Sequence, residues 1–88
     1  MIDKKLREDI KLLNENAVLF DNPSFDNSII GLSTEGNVVY DLNFMIEELA
    51  IEENLTYEEA ADFIDYNTIR TIPYIVEGNK PIICSSLN

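Results

Sequence analysis

Histidine is absent from the 88 residues, and cysteine occurs once, as Cys84. Without histidine the chain lacks the commonest general base, the commonest transition-metal ligand and the second member of every Ser-His or Cys-His nucleophile pair. A lone cysteine excludes an intrachain disulfide, and no cleavable apolar leader or long apolar run is visible, so the expected setting is the cytoplasm. Positive charge is scarce in a patterned way. From Asp21 to Ile69 there are twelve carboxylates and no lysine or arginine, whereas the first twenty residues balance four acids against Lys4, Lys5, Arg7 and Lys11. The net charge is −11. An anionic field of this density repels nucleic acid and acidic membrane surfaces and attracts basic protein surfaces, so no direct nucleic-acid or membrane partner is expected.

What is present suffices for one folded domain. The hydrophobic content of 45% is too high for a disordered acidic tail. Ile2, Leu6, Ile10 and Leu13 recur at helical spacing, predicting a helix over residues 3–14 with Asp3 as its cap. Ala17 to Phe20 reads as a brief strand, followed by a turn-rich loop, residues 21–27, in which Phe25 tucks inward. Two β-prone runs, residues 28–33 and 37–40, flank Thr34-Glu35-Gly36, where glycine can supply the left-handed residue of a three-residue hairpin loop. Asp41 stands in capping position before a helix that places Leu42, Met45, Ile46 and Leu49 on one face and ends near Asn54. Thr56 and Glu59 have capping-box spacing, with Leu55 as a staple, and open a second helix that must stop before Pro73. Residues 81–84 read as a last strand. The expected order is α-β-β-β-α-α-β, an α+β domain with a small, mainly antiparallel sheet and helices packed on one face. A basic-to-neutral helical segment, residues 1–16, would precede the core at 17–84, and a frayed tail would follow at 85–88.

The acids fall on the helices in a way that invites a functional reading. At about 100° per residue, Glu58, Glu59, Asp62 and Asp65 share an arc of about 120°, opposite Tyr57, Phe63 and Ile64. Such a stripe is ordinarily a solvated face. Yet Glu58–Asp62, Glu59–Asp62, Asp62–Asp65 and Glu48–Glu52 are like-charge neighbours, each costing about 0.2–0.5 kcal/mol. Glu52 and Glu53 also lie at a helix C-terminus, where the backbone dipole opposes them. On the same helix Phe44, Ile51 and Leu55 fall opposite the core face, interleaved with Glu47, Glu48 and Glu52. This apolar ridge is either covered by another element or exposed as a contact, for a basic partner with a hydrophobic anchor or for a homodimer.

Other candidates are weaker. Cys84, beside Ile82 and Ile83, reads as a small buried hydrophobe. Carboxylates alone can hold Mg²⁺ or perform hydrolysis, but no orienting motif accompanies them, and residues 21–27 lack the EF-hand pattern. There is no phosphate-cradling glycine loop. No metal, no cofactor and no catalytic residue is expected. The strip of Lys4, Arg7 and Lys11 is read as meeting the chain's own acids or a neighbouring copy's, and Arg70 as a favourable charge near the end of the later helix.

The segments Ser28-Ile29-Ile30-Gly31, Val38-Val39-Tyr40-Asp41, Glu58-Glu59-Ala60, residues 63–74 (Phe-Ile-Asp-Tyr-Asn-Thr-Ile-Arg-Thr-Ile-Pro-Tyr) and Pro81-Ile82-Ile83 resemble a group of short uncharacterised proteins. That group belongs to Gram-positive bacteria, their phages and integrated mobile elements. The resemblance spans residues 28–83 and carries over no activity, ligand or site residue. What it implies is a genomic context in which small acidic proteins block host defence or regulatory proteins, some by imitating DNA. The expectation is therefore a non-enzymatic binding protein docking on the basic, nucleic-acid-binding surface of a host protein, for example as a DNA-mimicking inhibitor of a defence system such as CRISPR. Glu47, Glu48, Glu52, Glu53, Glu58, Glu59, Asp62 and Asp65 would supply the charge, and Phe44 and Ile51 the apolar anchor. The alternative is a structural or regulatory homo-oligomer whose acidity serves solubility, with Phe44 and Ile51 as the self-contact.

Overall fold

A computed structural model describes residues 4–86. The chain is α+β, with helices α1 (Lys4–Leu13), α2 (Leu42–Glu53) and α3 (Tyr57–Asn67) and strands β1 (Ile29–Leu32), β2 (Val38–Asp41) and β3 (Ile82–Cys84). Short 3₁₀ turns occupy Asp26–Ser28 and Ile69–Tyr74. The sheet order is β1-β2-β3. β1 pairs with β2 antiparallel, but β2 pairs with β3 in parallel, so the sheet is mixed and not mainly antiparallel. The reason is topological: β2 runs directly into α2, and the chain returns to the sheet only after α3 and a 3₁₀ turn, which is the long crossover that parallel neighbours require.

The hairpin forms as its sequence predicts. Ser33 N–H donates to Asn37 O at 2.8 Å and Gly36 N–H to Ser33 O at 3.0 Å, closing a three-residue loop. Gly36 takes φ 88°, the left-handed residue this loop needs. On the inner face Ile29, Leu32, Val38, Tyr40 and Ile83 meet Met45, Ile46, Leu49, Ala60 and Ile64 from α2 and α3. Phe25 is buried, its ring 6.1 Å from Phe20 in an edge-on contact, and Phe20 lies 4.7 Å from Tyr40. The Tyr40 hydroxyl accepts from Phe20 N–H at 3.0 Å, and burial pushes its pKa up to about 12.

Four sequence expectations require correction. Residues 17–20 form no strand; a single parallel bridge joins Ala17 to Asn79, because the facing segment is a turn at Gly78 and not an extended run. Hydrogen bonds from Asn14 to Gly36 O and Asn79 Oδ1, and from Asn79 to Glu35 O, clasp that turn to the hairpin. In α1, Ile10 is buried and Leu6 half-buried, but Leu13 is exposed: the last turn runs past the core beside β1. Ile2 and the Asp3 cap lie outside the described residues. α3 ends at Asn67, and Pro73 sits inside the following 3₁₀ turn, so Arg70 belongs to that turn and not to the helix end. Finally, the tail is tied at Ser86, whose N–H and hydroxyl donate to Asp41 Oδ1 at 3.0 and 2.6 Å; positions 87 and 88 lie outside the described residues.

The helix caps match their sequence signals. Asp41 Oδ2 accepts from Phe44 N–H at 2.9 Å. Thr56 and Glu59 form the reciprocal capping box, at 2.9 and 3.1 Å. Asn54 ends α2 in the left-handed conformation, φ 53°.

α1 is anchored by charge as well as by Ile10. Arg7 Nε donates to Asp26 Oδ2 at 2.7 Å, and its other branch donates to Phe20 O. Asp26 is 3% exposed, and its Oδ1 has no protein partner among the described residues. A buried carboxylate deprived of its cation is costly, whereas removing both charges is far less so. Arg7→Met is therefore expected to lose about 2–4 kcal/mol in urea unfolding, and Arg7→Met with Asp26→Leu to recover much of that loss. A single mutant as stable as the wild type contradicts this role.

Candidate docking surface

The core face of α2 decides what its other face shows. Met45, Ile46 and Leu49 are buried, which turns Phe44, Glu47 and Ile51 outward. Phe44 is 49% exposed and Ile51 82%. Together with Asn27, Glu47, Glu48 and Glu52 they line a shallow hollow with an apolar floor and a carboxylate rim. Leu55, expected on the same ridge, is half-buried and belongs elsewhere. The left-handed turn at Asn54 breaks the helical spacing and swings Leu55 toward the core, against which it packs. It lines a second hollow with Leu49 and Phe63, rimmed by Asp21, Glu52 and Glu53. Glu52 thus stands on the wall shared by both hollows.

The ten candidate residues are not equivalent. Glu47, Glu52 and Glu53 are exposed on α2, with no basic residue in the last turn to offset the dipole. Glu48 is half-buried and accepts a hydrogen bond from the Ser28 hydroxyl at 2.9 Å. Burial is the main cause of its raised pKa, the Ser28 hydrogen bond opposes the rise, and the nearby charges of Glu52 and Asp26 add to it. Glu48 therefore joins α2 to the 3₁₀ turn as well as rimming the hollow.

On α3, Glu58, Glu59, Asp62 and Asp65 are all exposed. Glu59 is engaged in the capping box, and Asp65 lies 3.5 Å from the Arg70 guanidinium, which stacks 4.2 Å over the Tyr66 ring. The expected apolar side of α3 is narrower than its sequence suggests. Ala60 and Ile64 make the buried contact, while Tyr57, Phe63 and Tyr66 reach solvent. The helix shows an acidic and aromatic surface and not a purely negative one. Tyr57 ties it to α2 through a 3.0 Å hydrogen bond to Asn43 Oδ1.

Several cations are held by the fold. Arg7 serves Asp26 and Phe20 O, Lys11 donates to Ala17 O at 2.6 Å, and Arg70 lies against Tyr66 and Asp65. The basic strip of α1 thus meets an internal acid at Arg7. Asp26 and Asp21 were not singled out as site residues by sequence, since neither stands at helical spacing from a partner; Asp26 meets Arg7 across 19 positions. Cys84 is half-buried, not buried.

Among the described residues no grouping of three or more His, Cys, Asp or Glu side chains could hold a metal ion, and no helix is long and apolar enough to cross a membrane. Comparison with protein-family models, curated proteins and solved structures found no match.

The two perturbed acids of α2 and its cap act in opposite senses with pH. Asp41 is held below its ordinary 3.8, first by the Ser86 hydroxyl and then by the Phe44 amide, so its contribution is intact above that value and lost as pH falls further. Glu48 is raised above its ordinary 4.5, so its ionised form opposes folding near neutrality and that opposition is relieved as pH falls through the raised value. Protonation of Glu48 is therefore expected to raise thermal stability as pH falls from neutrality through its raised pKa. Glu48→Gln, which keeps an acceptor for Ser28, should melt higher than wild type at neutral pH and show a shallower rise. A variant that melts lower at neutral pH overturns this reading.

Proposed function

We propose that this chain is a non-enzymatic binding module that docks the acidic surface of α2 and the start of α3 on a basic surface of a partner protein. The observation that carries the reading is the hollow floored by exposed Phe44 and Ile51 and rimmed by Glu47, Glu48 and Glu52. Exposed apolar floor and anionic rim together are the makeup of an interface core with a polar edge. The placement of acids at the C-terminal end of α2, unfavourable in the isolated chain, becomes favourable when a cationic surface approaches. Phe44 and Ile51 supply desolvated contact area, while Glu47, Glu52, Glu53, Glu58, Glu59, Asp62 and Asp65 supply attraction and orientation. Glu48 contributes charge from a half-buried position.

The fuller form of the proposal is an inhibitor derived from a phage or mobile element. It would act in the cytoplasm, occupying the nucleic-acid-binding surface of a host defence protein in place of DNA. Support for that form comes from the resemblance of residues 28–83 and from the net charge of −11. A homo-oligomer joined through Phe44 and Ile51 is disfavoured, because an isologous seam there sets Glu47, Glu48 and Glu52 of each copy against one another.

The test is capture of basic, nucleic-acid-binding proteins from a bacterial lysate on the immobilised chain, with DNA as competitor. Capture should fall at high salt, be displaced by DNA, and be lost in Glu52→Lys with Glu53→Lys while the far-UV circular dichroism stays unchanged. Capture that ignores salt, DNA and the double substitution rejects the proposed surface.

A further inference from the structure

The second hollow, between the loop at residues 21–24 and the corner that joins α2 to α3, is built differently from the first. Its floor is Leu49, half-buried Leu55 and the ring of Phe63, which is 38% exposed. Carboxylates stand on both sides of that floor, Asp21 on the loop and Glu52 and Glu53 at the end of α2. None of the three makes an ion pair or a side-chain hydrogen bond among the described residues. Arg7 is near enough to Asp21 to sense its charge, but it is committed to Asp26 and Phe20 O. The negative end of the α2 dipole falls at Glu53 and adds to the field of the acids.

Both walls are set by the fold itself. Phe20, just ahead of the loop, donates its N–H to the Tyr40 hydroxyl and accepts from Arg7, and Phe25 and Asp26, just after the loop, are buried. The opposite wall is fixed by the left-handed residue Asn54 and by the capping box of Thr56 and Glu59. A site held open in this way needs little further ordering when it is filled.

Charge and shape together select the occupant. A purely apolar side chain would strip water from the surrounding carboxylates and give them no partner. An ammonium satisfies a carboxylate but, being compact and strongly hydrated, gains little from the floor. The guanidinium of arginine does both. Its N–H edge donates to carboxylates on two sides, while its flat face lies on an aromatic ring and its methylene stem on leucine. The volume, about 720 Å³ against about 410 Å³ for the first hollow, admits so long a side chain together with its remaining water.

We propose that this second hollow receives an arginine side chain from the basic surface of the partner, its guanidinium between Asp21 and the Glu52–Glu53 pair and its flat face on Phe63. The inference rests on the reading of α2 as a docking surface and adds the kind of side chain that the partner supplies. Glu52, on the wall common to both hollows, then stands between an apolar contact on Phe44 and Ile51 and a cationic one on Phe63.

Amide NMR titration of the full chain with N-acetyl-arginine methylamide, at constant ionic strength, is the test. Saturable shifts are expected at Asp21, Ser24, Glu53, Leu55 and Phe63, with a dissociation constant on the order of millimolar. The corresponding lysine compound should bind about two- to fivefold more weakly. Asp21→Asn with Glu53→Gln should weaken the arginine probe about three- to tenfold, and Phe44→Ala, in the first hollow, should leave its affinity unchanged. A dispersed amide spectrum verifies that each variant is folded. Shifts that do not saturate, that centre on Phe44 and Ile51, or that are equal for the two probes overturn the proposal, as does a double variant that binds like the wild type. Failure of the probe with salt-sensitive capture of basic proteins intact removes this hollow alone. A bound probe with no captured protein removes the docking reading, and the partner with it, while leaving the arginine site.

Discussion

The contact between Arg7 and Asp26 organises both the fold and its charge. It fastens α1 to the 3₁₀ turn ahead of the hairpin, while the same guanidinium reaches Phe20 O and fixes the backbone entering the aromatic contact with Phe25 and Tyr40. It also draws a cation of the N-terminal segment inward. Lys11 serves the backbone carbonyl of Ala17 and Arg70 lies on Tyr66, so these charges hold structure together and do little to neutralise α2. The uneven charge of the sequence thereby becomes an uneven charge of the surface.

That surface carries an energetic cost in the isolated chain. The like-charge neighbours on α2 and α3 sum to roughly 1–2 kcal/mol at typical pair values. This is a noticeable part of the stability of a small domain, commonly about 5–15 kcal/mol. Helix capping offsets some of it: Glu59 is stabilised within its capping box and Glu58 by the N-terminal dipole. Nothing comparable attends Glu52 and Glu53, which follow the last buried turn of α2 without a basic neighbour in it. The proposed docking would account for these locally unfavourable acids, of which Glu52 borders exposed Phe44 and Ile51 and Glu53 follows it.

Much of this architecture was legible in the residues. Asp41, Thr56 and Glu59 declare their helix starts because capping chemistry is local, and Thr34-Glu35-Gly36 declares the hairpin because few residues other than glycine accept its geometry. The core face of α2 follows from its spacing. What could not be read depends on distant partners: the parallel pairing of β3, the bridge that replaces a strand at Ala17, the tie between Ser86 and Asp41, and the Arg7–Asp26 pair. In the candidate site, Phe44 and Ile51 were placed correctly by period alone, but Leu55 was not, since the left-handed residue at Asn54 ends the period one position before it. Glu48 looked like its neighbours in sequence and differs from them only because Ser28 comes to meet it.

Amide chemical-shift mapping with an arginine-rich amphipathic peptide addresses the central claim most directly, because it reads every position at once. The account predicts shifts concentrated on Asn27, Phe44 to Glu53 and the first turn of α3, with little change at Glu15, Glu35 and Glu77, which are acidic but lie outside the hollows. Equal shifts at all exposed acids, or none around Phe44 and Ile51, would show that the anionic surface is solvation and not a docking site.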